Sequence, residues 1–236
     1  MEDLYSVKLC RFIGLQEEMI NIKDQQEIIL RIAKEISKSI TVYAIGGTAM
    51  MFLGLKDSTL DIDLVFVREE DRRVFRKAVN SLGYENMDPT IVYGKNDNSP
   101  DMVKLPDSRI DLFLNEVISF TFSENMRARA KETHRFDKNL FIKVADVHDL
   151  IIMKCATNRA KDEDDILAII RNSNIDWNIL VREIKYQLSL GKEQAIFSLG
   201  AFLEKLKNKH KIKVPKVVLD ELWNLLKKQV KEKRGR

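Results

Sequence analysis

Residues 44–66 read AIGGTAMMFLGLKDSTLDIDLVF, a Gly-Gly pair after an apolar run, then two aspartates one residue apart. Side chains alternate faces along a strand. Over a strand at residues 60–67, Asp61 and Asp63 therefore share one face while Ile62 and Leu64 enter an apolar layer. Two carboxylates on one face repel unless a cation lies between them, and a divalent ion such as Mg2+ binds through a few carboxylates plus substrate phosphates. Gly46 and Gly47 follow the apolar run 42–45 and precede a helix-like segment at 48–53. Glycine N–H groups at a helix N-terminus can approach an anion closely. One segment thus offers a phosphate cradle beside a metal-binding pair.

Around this segment the hydrophobic spacing predicts an amphipathic helix over 16–38, with Met19, Ile22, Ile28, Ile29, Ile32 and Ile36 on or near one face. It predicts a strand at 41–45, a helix at 69–82 closed by Gly83, and a strand at 90–93. Residues 94–107, rich in Gly, Asn, Pro and Ser, read as a loop or a broken hairpin. The sheet resumes at 109–115, Ser123 can cap a short helix ending near Lys131, and 133–136 with 140–145 form a hairpin. Asp146 is a natural N-cap, and helices are expected at 147–156, 163–171, 177–190, 193–207 and 216–231, the last opened by Pro215. The expected fold class is α+β: a mixed sheet flanked by helices over 1–145, then a helical C-terminal region over 146–236.

The spacing resembles the nucleotidyltransferase superfamily of the DNA polymerase beta type, which joins Gly-Gly or Gly-Ser to Asp-x-Asp across ten or more residues. Here thirteen residues separate Gly47 from Asp61. RIDLF at 109–113 resembles the later strand that supplies a third carboxylate, with Asp111 in that place. Residues 149–166, DLIIMKCATNRAKDEDDI, are similar to the segment after the core in AbiEii-type and MenT-type toxins and their archaeal and bacterial relatives. The resemblance implies transfer of an NMP from an NTP such as ATP, with Mg2+ or Mn2+ as cofactor. Asp61 and Asp63 would bind the metal that holds the triphosphate. Asp111 would bind a second metal or take the acceptor's proton. Lys154 would contact the nucleotide, and Arg159, Lys161, Asp162 and Asp165 would order the turn after it and touch the substrate.

Other readings stand beside these roles. Lys56, where relatives often carry Arg, either meets the triphosphate or is a solvated loop lysine without the bidentate fork. The Thr48 hydroxyl either contacts a phosphate or caps its helix. A lysine emerging from the apolar run Leu150–Met153 needs an anion or a route to solvent, and a triphosphate would supply the anion. Asp162 is also a conventional cap for a helix starting at Glu163, and Asp165 can pair with a neighbouring cation. His134, His148 and His210 lack ligand spacing and are assigned no catalytic role, while Trp177 and Trp223 fall at apolar helical positions and read as core.

With two cysteines, Cys10 and Cys155, outside any paired-ligand motif, a disulfide framework or structural zinc is not expected. No apolar run reaches eighteen residues and no basic-then-apolar leader opens the chain, so a soluble cytoplasmic protein without membrane partners is expected. The net charge of +4 is unevenly distributed: residues 205–236 carry +9 and the remainder −5. Such a tail can meet phosphates by counterion release or form a solvated helix face. The resemblance implies tRNA, at its 3′ end, as one acceptor and an antitoxin protein as one partner. Small-molecule acceptors, and a non-catalytic nucleotide- or RNA-binding module that keeps the fold, are the alternatives.

Overall fold

An asparagine sets where the first helix begins. Asn21 Oδ1 accepts the N–H groups of Lys23 and Asp24 at 2.8 and 3.2 Å, and Asp24 returns a bond to the Asn21 N–H. This capping box starts α1 at Ile22–Glu35, shorter than the 16–38 expected. Ahead of it, β1 (Ile20–Asn21) pairs with β3 (Ser58–Thr59). The computed structural model describes residues 19–94, 98–157 and 160–234, so residues 16–18 of the expected helix and Cys10 lie outside the described residues. The described residues divide into two compact units, one within Met1–Ile118 and Met126–Asp146, the other within Ser119–Asn125 and Val147–Arg236.

The first unit is built on a seven-stranded mixed sheet. Its members are β2 (Ile40–Ala44), β4 (Ile62–Phe66), β5 (Glu85–Met87), β6 (Asp101–Leu105), β7 (Ser108–Leu114), β10 (Thr133–Phe136) and β11 (Leu140–Val144), in the order β10-β11-β2-β4-β7-β6-β5. The pairs β11–β2 and β4–β7 are parallel and the others antiparallel. Ile62, Leu64, Ile110 and Leu112 of the two central strands are fully buried, as the alternation in 60–67 requires. Helix α2 (Gly46–Phe52) follows β2, and α3 (Glu69–Ser81) follows β4. Phe75 of α3 meets Phe66 of β4 edge-on at 5.4 Å, and α3 also packs against α1.

Residues 90–107 depart from expectation twice. Instead of a strand, Thr90–Tyr93 forms a single helical turn, α4. Asp88 Oδ1 accepts the Thr90 N–H and hydroxyl at 2.9 and 2.8 Å, and Pro89, with φ preset near −65°, starts the turn. The β-branched pair Ile91 and Val92 is exposed, so local capping outweighs β propensity here. Conversely, β6 occupies the expected loop. It joins β7 through the two-residue connection Pro106–Asp107, and its buried Met102 and Val103 are flanked by Asp101 and Lys104, which masked the pattern.

In the second unit, α6 (Val147–Thr157), α7 (Ala160–Asn172), α8 (Trp177–Ser189), α9 (Gln194–Lys209) and α10 (Lys216–Arg234) pack on one another. The short strands β8 (Glu116–Val117) and β9 (Phe120–Thr121) and helix α5 (Glu124–Arg129) complete the element list among the described residues. Buried Gln187 of α8 bonds both backbone groups of Thr121, and Ser123 donates to buried Glu183, which secures 119–125 within this unit. His148 Nε2 accepts the N–H of Asp176, the N-cap of α8. Helix α7 begins at Ala160, so Asp162 lies inside its first turn rather than capping it. Trp223 also differs from expectation: it is 46% exposed, and its indole donates to Glu204 at 3.1 Å. Among the described residues no helix is long and apolar enough to cross a membrane.

Candidate active site

The parallel register of β4 and β7 sets Asp63 directly beside Asp111. Asp61, two residues before Asp63, projects to the same side. One carboxylate oxygen from each of the three lies within 4.8 Å of the others. Asp61 and Asp63 are half-buried, whereas Asp111 is fully buried.

Helix α2 braces the start of β4. Thr48 is fully buried, and its Oγ1 accepts the Asp63 N–H at 2.8 Å and donates to the Asp61 carbonyl at 3.4 Å. The hydroxyl expected to contact a phosphate or cap its helix thus fixes the backbone of the carboxylate pair. Gly46 has φ +56°, and a Cβ there would stand 2.3 Å from Asp63 Oδ2. A Cβ on Gly47 would stand 2.3 Å from Thr59 Oγ1, and Thr59 in turn donates to Asp61 Oδ1 at 3.4 Å. The two glycines therefore allow α2 to lie close to its neighbours, Gly46 against Asp63 of β4 and Gly47 against Thr59 of β3.

Two residues without an assigned role from sequence complete the cluster. Arg109 donates through Nη2 to Asp61 Oδ2, and its Nε lies 3.3 Å from Asp111 Oδ1. The Tyr93 hydroxyl, carried by α4, donates to Asp111 Oδ2 at 2.6 Å. Asp111 Oδ1 is buried and accepts no hydrogen bond with acceptable geometry. Burial pushes the Asp111 carboxyl up from its ordinary 3.8 to about 7; Arg109 opposes this, the Asp61 charge adds to it, and the Tyr93 bond opposes it. The Tyr93 phenol is raised too, by burial first and then by the charges of Asp111, Asp63 and Asp61, so it stays a donor. Arg109 had a readable signal, since strand alternation puts it on the Asp111 face. Tyr93 had none, because its turn reads locally as a strand.

The chemistry of this donor set fits a hard divalent cation. It offers only carboxylate oxygens, at close range, one of them a buried acceptor without a hydrogen bond. Lys56 is half-buried on the connection from α2 to β3. Lys154 belongs to the helical unit, where its buried ammonium bonds Asp165 at 2.6 Å and Asp162 at 3.2 Å. The anions that this lysine requires are supplied by its own chain. Lys161 is exposed on α7, and Arg159 lies outside the described residues.

Over residues 17–199 the sequence matches a family model described as a nucleotidyltransferase of unknown function, DUF6036. No curated protein matches it. Among solved structures, the chain is similar to the crystal structure of ANT(2″)-Ia in complex with adenylyl-2″-tobramycin, at 17% identity, over 77% of this chain and 98% of that one, with a TM-score of 0.42.

Proposed function

The chain belongs to the DUF6036 family of nucleotidyltransferases, and from that premise we propose that it transfers an NMP from an NTP to an acceptor hydroxyl at the Asp61, Asp63 and Asp111 cluster. The observation that carries this is the convergence of three carboxylates from the start of β4 and from β7, one oxygen of each within 4.8 Å of the others. Asp61 and Asp63 would hold a divalent metal, Mg2+ or Mn2+, together with the triphosphate, and Asp111 would help hold a second one. When bound, such an ion neutralises phosphate charge and orients the leaving group.

The chain's own residues perform the remaining tasks. Thr48 and the two glycines keep the carboxylates of β4 in place. Asp111 takes the acceptor hydroxyl's proton as the acceptor O–Pα bond forms and the Pα–O bond to pyrophosphate breaks. Gly46, Gly47 and Lys56 are proposed to serve nucleotide binding.

Within this activity the acceptor we favour is RNA, including a tRNA 3′ end. Its support is the +9 charge of residues 205–236, with Lys207, Lys211, Lys213, Lys216, Lys227 and Lys228 exposed. A toxin of the AbiEii-like branch, held by an antitoxin, is the biological form this acceptor would suit.

The test incubates purified protein with each α-labelled NTP, Mg2+ or Mn2+, and either total tRNA or a panel of hydroxyl-bearing small molecules. Transfer to tRNA that disappears in Asp61→Ala and Asp63→Ala is the expected result. Transfer only to a small molecule would replace the acceptor, metal-dependent NTP binding without transfer would indicate a non-catalytic binder, and transfer surviving both substitutions would overturn the site.

A further inference from the structure

Tyr93 reaches the site through a small local construction. Asp88 anchors the N–H and hydroxyl of Thr90, Pro89 starts the turn, and the N–H of Tyr93 closes onto the Pro89 carbonyl at 2.9 Å. Gly94, with φ +64°, lets the chain turn away immediately afterwards, where a side-chain-bearing residue would be strained. Strand β7 presents Arg109, Asp111 and Phe113 on one face by alternation. Tyr93 lies across the last two: its ring meets Phe113 edge-on at 6.0 Å and its hydroxyl meets Asp111 Oδ2 at 2.6 Å. The two oxygens of Asp111 are thereby made unequal. Oδ2 is held by the phenol at 2.6 Å, whereas buried Oδ1 faces Arg109 Nε at 3.3 Å in an ion pair without hydrogen-bond geometry.

Resting on the nucleotidyl-transfer function above, we infer that Tyr93 is a positioning residue that fixes the rotation of the Asp111 carboxylate and so assigns Oδ1 as its working oxygen. A carboxylate on a short stem can rotate about its last bond, and a charge-assisted bond to one oxygen removes that freedom. The ring's contact with Phe113 sets the direction of the hydroxyl. Tyr93 touches neither nucleotide nor acceptor in this role. It acts through Asp111, so its loss should affect metal capture and the chemical step rather than nucleotide binding carried by Asp61 and Asp63.

The test is Tyr93→Phe in the full chain, which deletes the hydroxyl and keeps the ring against Phe113. Mn2+ affinity is read by electron paramagnetic resonance without nucleotide, alongside kcat, the KM for NTP and a thermal melt. Loss of an orienting bond to a metal-ligating carboxylate predicts ~10-fold weaker Mn2+ binding and a kcat ~10–100-fold lower. The KM for NTP should stay within about twofold, the split expected when only the chemical step is impaired. If Tyr93 only packs against Phe113, the variant will match wild type in both Mn2+ affinity and kcat, and the inference is overturned. A wild-type protein that neither binds Mn2+ nor transfers label would instead overturn the underlying function, an outcome visible before any variant is made.

Discussion

Replacing Gly46 with alanine should separate stability from site chemistry. The backbone there has φ +56°, a conformation that costs an L-residue roughly 1–2 kcal/mol. The new Cβ would also stand 2.3 Å from Asp63 Oδ2, so one of them must move. Moving β4 would disturb fully buried Leu64 and Phe66, whereas rotating the Asp63 carboxylate off its preferred rotamer costs only about 0.5–1.5 kcal/mol. The carboxylate should yield. Together the two effects amount to about 1.5–3.5 kcal/mol, a melting shift of roughly 3–14 °C for a chain of this size. The displaced oxygen leaves a cluster whose members lie within 4.8 Å of one another, so Mn2+ affinity should fall by at least ~10-fold. The assay pairs a thermal melt with Mn2+ titration well below both melting points. Gly47→Ala is the control: it lacks the positive φ, and its Cβ meets Thr59 rather than a cluster carboxylate, so its metal defect should be smaller. Wild-type Mn2+ affinity in a folded Gly46→Ala protein would refute the claim that Gly46 makes room for Asp63.

Arg109→Met should destabilise the metal-free protein by roughly 3–5 kcal/mol, because it leaves Asp61 and Asp111 facing each other in a buried place. Added Mn2+ should then raise the variant's melting point more than the wild type's, and equal responses would remove Arg109 as the internal counter-cation. For Asp111 the folded-state pKa of about 7 exceeds the ordinary 3.8, so the stability it contributes is full below about pH 4 and is lost as pH rises through 7. The stability difference between metal-free wild type and Asp111→Asn, followed by denaturant titration, should decline over that window. A flat difference contradicts the shift. Glu163 has the opposite sign: hydrogen bonds from Lys205, Lys209 and His210 hold its carboxyl at about 2 against an ordinary 4.5. Its contribution is present above pH 4.5 and lost as pH falls toward 2, so Glu163→Gln should lose stability relative to wild type above pH 4.5 and converge with it toward pH 2.

What could be read along the chain was what depends on neighbours a few residues away. Alternation in LDIDLVF placed Asp61 and Asp63 on one face, and the resemblance to a family's later carboxylate strand marked Asp111 in RIDLF, which is buried. Helical periodicity found the C-terminal helices within a few residues of their bounds. The errors arose where a local competitor outweighed the pattern: the Asn21 capping box shortened α1, and the Asp88-Pro89 turn made a helix of β-branched residues. Trp223 stands at an apolar helical position, yet which face of α10 is covered depends on partners far away in sequence.

The sequence by itself determined that this chain carries carboxylates on strands beside a Gly-Gly turn, because a strand's two-residue period is fixed by backbone geometry. Only the tertiary structure decided that Asp63 and Asp111 are neighbours, since the parallel register of β4 and β7 joins residues far apart in the chain. It also decided the partners of those carboxylates. Thr48 serves the backbone of β4, Arg109 bridges Asp61 and Asp111, and Tyr93 holds one oxygen of Asp111, because burial obliges each polar group to find a partner among whatever the fold brings close.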